Sequence, residues 1–474
     1  MATLRRSSPP INRMRIMTNI SAETEQGNFE PVESYQDILD RDTRPVPEIF
    51  REVTHADAGC GPIPASRYTS ADFFQLEVEK VWLKTWQFAC LEDDLPDAGD
   101  TYVYDLVGRS AIVIRQADGS IRAFLNACRH RGRKLVTENG CRGMVRCPYH
   151  GLTWNTDGSF KVNPFKWDFL HVDDSDFGLF PVRCESWAGF VFINFDADAA
   201  PLLDLIAPIP KHFERWRIQD CYKSAHVGKV MPANWKACAE AFLESYHVLA
   251  THPQAAPFVS SEGGQYDVLS DHVTRFLSPT AVASVLAGTG LDERGRIEAM
   301  TTVGSRAGTG AQREVLDGIT ARQYVADQAR ELVASKTGID FDQASDAEMI
   351  DGIAYDFFPS FHLWGGFAQK ICYRFRPDGT NHERTLMEVM LFELAPQGQP
   401  KPTPAPYRLL GPEDDWALAT ELNYLSGIYG QDESNLGPVQ EGLRALGDGD
   451  LQFSRYGDLR CRHLHRMIDR YLAA

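Results

Sequence analysis

The sequence predicts an α+β protein of two domains, a small all-β one and a larger one mixing an antiparallel sheet with long helices. Three observations predict it. Residues 98–200 alternate short apolar runs with the Asp-Gly turn signals Asp118-Gly119 and Asp157-Gly158. The C-terminal half carries strand runs at Ile371–Phe375 and Thr385–Leu394, then a long helical pattern over Asp415–Leu446. A chain of 474 residues also exceeds what one compact core holds.

In chain order, residues 1–45 are rich in Ser, Pro, Asn and charge, show no sustained period, and read as a disordered lead. No apolar core follows Arg5, Arg6, Arg13 and Arg15, so the lead is not a secretory signal, and Met17 is as good an initiator as Met1. Residues 46–97 read as an N-terminal helical segment. With Thr69 or Ser70 as N-cap, the apolar returns at Phe73-Phe74, Leu76, Val78, Val81-Trp82, Trp86 and Phe88 predict one amphipathic helix. In 98–200 the strands fall at Tyr102–Tyr104, Ala111–Ile114, Ile121–Phe124 and Phe190–Ile193. In 201–474 a Pro- and Leu-containing connection leads to a strand at His226–Val230 and helix-forming residues from Ala237 to Tyr246. Residues 254–350 are the least legible, with one helix-like run near Ala321–Ser335.

With 65 acidic against 48 basic side chains, the net charge of −17 argues against a nucleic-acid partner. No run of eighteen apolar residues exists, so no membrane span is expected. Ten cysteines scattered without a repeating framework suit a reducing cytoplasm.

The most informative stretch is Cys128-Arg-His130-Arg-Gly132 and Cys147-Pro-Tyr-His150-Gly151, with residues 131–146 between His130 and Cys147. Each arm supplies one thiolate and one imidazole, the ligand set of a mixed Cys2His2 iron–sulfur centre. In such a centre the cysteines hold one iron and the histidines the other, and the neutral imidazoles raise the potential. By ligand type alone a structural zinc site competes, although zinc fingers usually pair cysteine with cysteine and histidine with histidine. Cys141 lies between the arms but reads as a free thiol, because four ligands are already present. With Pro148, Tyr149 and Gly151 in place, the stretch resembles the Rieske [2Fe-2S] signature. Phe124-Leu-Asn126 and Trp154 extend the resemblance to the terminal oxygenase, or alpha, component of Rieske non-haem iron aromatic-ring-hydroxylating oxygenases.

A second metal site is suggested by Glu244-Ser-Tyr246-His247-Val-Leu-Ala-Thr-His252. Positions five apart on a regular helix point about 140° from one another, so the helix must stop between the imidazoles for both to reach one ion. Pro253 supports such a stop. In the final helix Leu422, Leu425, Tyr429, Asp432, Leu436, Val439 and Leu443 form one stripe, placing a carboxylate at a core position. That acid requires a cation or a buried polar partner. Glu433 is its neighbouring rival, about 100° off the stripe.

The oxygenase family resolves these choices by resemblance. Asn234-Trp235-Lys236, Glu244-x-Tyr246-His247 with His252, and Gln431-Asp432 with Val439-Gln440-x-Gly442-Leu443 resemble motifs of its catalytic domain. The resemblance implies a helix-grip fold, a mononuclear Fe(II) held by His247, His252 and Asp432, and catalytic roles for Glu244 and Asn234. Glu244 would bridge the histidine ligands of the two centres across a subunit boundary; a surface acid is the plainer reading. Two departures stand out: Ala241 where many relatives carry Asn, and Glu244 for the commoner Asp. The resemblance further implies O2-dependent hydroxylation, or alternatively demethylation or dealkylation, in a homotrimer that can include a beta subunit. Electrons from NAD(P)H would come through a separate ferredoxin or reductase, since Gly304–Gly310 lacks the glycine spacing of a dinucleotide site. Arg129, Arg131, Arg133 and Lys134 could attract an acidic electron donor, or could simply be solvated charges. Phe242, Phe258, Phe357, Phe358, Phe361 and Trp364 fit an apolar pocket for a hydrophobic aromatic or polycyclic substrate, or ordinary core. An electron-transfer protein with a ligand-binding domain is the less favoured alternative.

Overall fold

The computed structural model describes residues 33–304, 306, 315 and 317–474. Residues 1–32 of the expected lead, and most of Gly304–Gly310, lie outside the described residues. The rest of the lead is ordered, which corrects the expectation of disorder to residue 45. Ser34 and Asp37 cap the helix Tyr35–Leu39 reciprocally, and Tyr35, Ile38 and Leu39 are buried. Three apolar side chains in one turn suffice to dock a segment whose average composition is polar.

The first sheet runs in the order Gln87–Leu91, Phe190–Asn194, Pro181–Trp187, Ile121–Leu125, Arg109–Arg115, Asp100–Leu106, Gly140–Cys141. Gln87–Leu91 corrects a second expectation, since it belongs to this sheet rather than to a helix running through Phe88. The helix covers Ala71–Glu77 and ends in a wider turn over Val78–Trp82. All five residues of Gln87–Leu91 are buried, so no alternation distinguished the strand from a helix face. A three-stranded sheet of Val145–Arg146, Thr153–Trp154 and Phe160–Val162 completes the tip. Gly158 turns its hairpin at φ +84°, where a Cβ would lie 2.3 Å from the Phe124 ring. A glycine is therefore required both for the dihedral and for the close approach.

The second sheet has eight strands in the order Gln265–Val268, Val273–Ser278, Gly352–Phe357, Phe361–Trp364, Lys370–Asp378, Asn381–Leu394, Cys221–Met231, Arg408–Leu409. Every neighbouring pair is antiparallel except the last. Phe361 joins the two sheets, its ring centroid 5.3 Å from Phe88, 5.3 Å from Phe190 and 5.1 Å from Phe192. Beside it the buried Arg374 donates to Glu388 at 2.7 Å and crosses to the carbonyls of Phe88 and Ala89 at 2.6 and 2.7 Å.

The last long helix starts at Leu425 rather than Asp415, because Asn423 adopts φ +54° after two short 3-10 turns. It buries Leu425, Tyr429, Asp432, Leu436 and Leu443 as expected, but not Val439, which is 43% exposed. Gln440 takes the inward place and accepts the backbone N–H of Asn234 at 2.8 Å. Among the described residues no helix is long and apolar enough to cross a membrane.

Candidate metal centres and substrate cavity

The two arms of the first site are near-copies. Cys128 N–H donates to the Arg133 carbonyl and Gly132 N–H back to Cys128, at 2.8 and 2.9 Å. Cys147 N–H donates to Leu152 and Gly151 N–H to Cys147, at 2.8 and 3.0 Å. Gly132 and Gly151 close these knuckles at φ +72° and +80°. Cys128 and Cys147 are buried, and the His130 and His150 ring centroids lie 4.8 Å apart. Burial raises the Cys128 thiol's pKa, and the adjacent Cys147 sulfur adds to the rise.

His130 Nδ1 is buried without any hydrogen-bond partner, a costly state unless it is reserved for a metal. Arg131 engages Nε2 of His150 at 2.8 Å, which leaves Nδ1 as the nitrogen for a metal. Two thiols and two imidazoles so disposed fit a [2Fe-2S] group. The basic residues around them are partly occupied: Lys134 pairs with Asp105 at 2.8 Å, while Arg129 and Arg131 lie over the Phe180 and Tyr149 rings.

At the second site the expected break occurs. The helix Val248–Thr251 is a single turn with His247 before it and His252 after it, the latter at φ −120°, ψ 53°. Both imidazoles meet Asp432: His252 Nε2 lies 2.8 Å and His247 Nε2 3.8 Å from Asp432 Oδ1. One ligand atom from each of the three falls within 4.8 Å of the others, the one such group of His, Cys, Asp or Glu among the described residues. Asp432 is 4% exposed and pairs with no Lys or Arg among the described residues, so the donor set fits a divalent cation. The rival Glu433 turns away to Lys229 at 2.6 Å.

Each imidazole is held by its other nitrogen. Glu244 Oε1 lies 2.6 Å from His247 Nδ1, and Gln431 Oε1 lies 2.8 Å from His252 Nδ1. Both Nε2 atoms are thereby aimed at Asp432. Burial works against a charged His247, but the Glu244 hydrogen bond and charge, with Asp432, outweigh it and raise its pKa. Sequence reasoning missed the part played by Gln431, although its place next to Asp432 was the available signal. Gln254 Nε2 steadies the same Gln431 oxygen at 2.7 Å.

Asn234, expected to be catalytic, makes no hydrogen bond to the triad among the described residues. Its Oδ1 caps the helix Trp235–Glu240 at Lys236 N, and its Nδ2 donates to the Tyr68 and His382 carbonyls at 3.1 and 2.7 Å. Every polar atom of the side chain is occupied. Lys236, in the same motif, forms a fully buried ion pair with Glu77 at 2.7 Å, and Trp235 Nε1 donates to the same carboxylate at 3.2 Å.

The triad stands in a wall between two spaces. Glu244, His247 and Asp432 border an open cleft of about 400 Å³, shared with Tyr68, Glu240 and Val439. The same three border, with His252, a mainly apolar cavity of about 230 Å³. Phe242, Phe258 and Trp364 line that cavity, whereas Phe357 and Phe361 belong to the core. Phe358 is a core residue whose ring stacks on Tyr471 at 5.4 Å.

A β-tip with a Cys2His2 pair of knuckles, joined to a helix-grip sheet with a two-histidine, one-carboxylate centre, defines the Rieske non-haem iron oxygenase class. Residues 85–168 match the Rieske [2Fe-2S] domain, and residues 211–474 match the ring-hydroxylating alpha subunit catalytic domain. The chain belongs to the ring-hydroxylating alpha-subunit family, whose two modules imply a Rieske cluster and a mononuclear iron.

It is 34% identical over 194 residues to the carnitine monooxygenase oxygenase subunit of Escherichia coli (strain K12), spanning 40% of this chain and 52% of that one. It is 36% identical over 196 residues to the large oxygenase component of the naphthalene 1,2-dioxygenase system of Pseudomonas putida, spanning 38% and 42%. The chain thus spans about half the length of the curated relatives it matches. Its fold is like that of a quaternary ammonium Rieske monooxygenase crystallised with L-carnitine, with TM-score 0.61, 18% identity, and coverage of 87% of this chain and 96% of that chain. Naphthalene 1,2-dioxygenase with indole bound gives TM-score 0.60 and 20% identity, covering 88% and 93%.

Proposed function

We propose that this chain is the terminal oxygenase component of a multicomponent system that hydroxylates a hydrophobic aromatic or polycyclic substrate. One observation carries the reading: two imidazoles and a buried carboxylate converge in the wall of an apolar cavity. In the loaded protein the cluster supplies electrons singly and the Fe(II) supplies reductive activation of dioxygen.

The chain's own residues prepare that chemistry. Cys128 and Cys147 would hold one cluster iron, and His130 and His150 the other. His247, His252 and Asp432 would hold the mononuclear ion through one atom each, which leaves coordination positions open. Glu244 and Gln431 fix the two imidazoles from behind. Phe242, Phe258 and Trp364 line the apolar cavity beside the triad, where they would exclude water and hold an apolar ring.

Glu244 borders the open cleft and also engages His247, which supports a reading in which it meets an imidazole of a second copy's tip. That arrangement supports a homotrimer in which electrons cross between subunits through Glu244. A separate ferredoxin or reductase would deliver them to the tip.

A second reading, oxidative demethylation, is supported by the identity to the carnitine monooxygenase oxygenase subunit. With a ferredoxin and reductase pair, NADH and 18O2, the first reading predicts labelled hydroxylated products from aromatic hydrocarbons. Formaldehyde released from an N-methyl compound would decide for the second. Neither product from fully loaded protein would contradict both.

A further inference from the structure

The apolar cavity beside the triad contains one side chain that its lining does not explain. Arg306 borders it, with the guanidinium 4.7 Å above the Trp364 ring. Two of its five N–H donors go to neutral backbone carbonyls, Nη1 to Gln369 at 3.2 Å and Nη2 to Asp351. It forms no ion pair among the described residues.

Among the described residues, the acid whose charge acts on Arg306 is Asp351, and it is already taken. The Asp351 carboxylate accepts Arg322 at 2.7 and 2.9 Å, the Tyr35 hydroxyl at 2.8 Å and the Thr280 N–H at 2.8 Å. A guanidinium in an apolar wall with no counter-ion among the described residues is unfavourable, and burial accordingly lowers its pKa. An anionic ligand would relieve that cost, and the planar fork suits a carboxylate in particular.

The placement also gives the ligand a direction. Gly304, Arg306 and Tyr424 border both this apolar cavity and a more polar one of about 540 Å³. An anionic head can therefore rest at Arg306 while the apolar body lies inward against the triad. Resting on the oxygenase reading above, we infer that Arg306 is a specificity-determining residue for an aromatic substrate that carries a carboxylate. That substrate would present its apolar end, remote from the carboxylate, to the metal.

Isothermal titration of the holoenzyme with benzoate and 2-naphthoate, each against its neutral carboxamide, tests this without requiring turnover. At least one acid should bind at least tenfold more tightly than its amide. Arg306→Met should abolish that preference, and Arg306→Lys should keep part of it, which separates loss of charge from loss of fold. The preference should survive in Asp432→Ala, because it does not come from the iron. Acids no tighter than their amides would overturn the inference, as would a preference that survives Arg306→Met or one that vanishes in Asp432→Ala. Absence of oxygen incorporation with every compound would instead count against the oxygenase reading and leave the binding preference to be read by itself.

Discussion

Gln431 and Glu244 do equivalent work at different imidazoles. Each accepts from an Nδ1, at 2.8 and 2.6 Å, and so leaves Nε2 as the ligand atom. Carbonyl and carboxylate acceptors differ in charge, however, and only Glu244 also borders the open cleft. Gln431→Leu should therefore weaken iron retention at the triad about 10–100-fold against a chelator, while sulfide content stays unchanged. Glu244→Gln keeps an acceptor oxygen and should retain the iron. It should nevertheless slow reoxidation of the reduced cluster by O2 and substrate roughly tenfold or more, followed by stopped-flow absorbance. Unchanged reoxidation would remove Glu244 from the path between centres. Asn234, by contrast, shows how a motif residue can be structural: its position in the sequence was plain, but its hydrogen bonds to the carbonyls of Tyr68 and His382 were not.

The elements around the triad are held by buried polar contacts that link distant stretches of chain. Lys236 and Glu77 are both fully buried, and they fasten the short helix before Glu244 to the N-terminal segment. Lys236→Met leaves the Glu77 charge without its partner, so urea unfolding should show a loss of about 3–5 kcal/mol. No loss would mean that Glu77 is neutral or finds another partner.

The break between His247 and His252 was legible because a proline and a five-residue spacing are local facts. The inward face of Asp432 was legible because helical periodicity is local too. Gln87–Leu91 was not, since a strand buried on both faces has no alternation. Gln440 was not, because its burial is compensated by the backbone of Asn234, a partner 206 residues away. Arg306 was hidden in the least legible stretch, where no period marks which side chains face a cavity.

Over the whole molecule, one wall separates an apolar chamber from an open cleft, and the triad is built into that wall. The two sheets meet through Phe361 and Arg374, so the tip's sheet and the catalytic sheet are fastened together rather than tethered by a linker. The most direct measurement is iron and acid-labile sulfide per chain, with EPR of the reduced protein, for the wild type and Asp432→Ala. The account predicts about three irons and two sulfides in the wild type, and about two irons and two sulfides with an unaltered cluster signal in the variant. A wild-type chain with only the two cluster irons, or an Asp432→Ala chain that keeps the third, would contradict it.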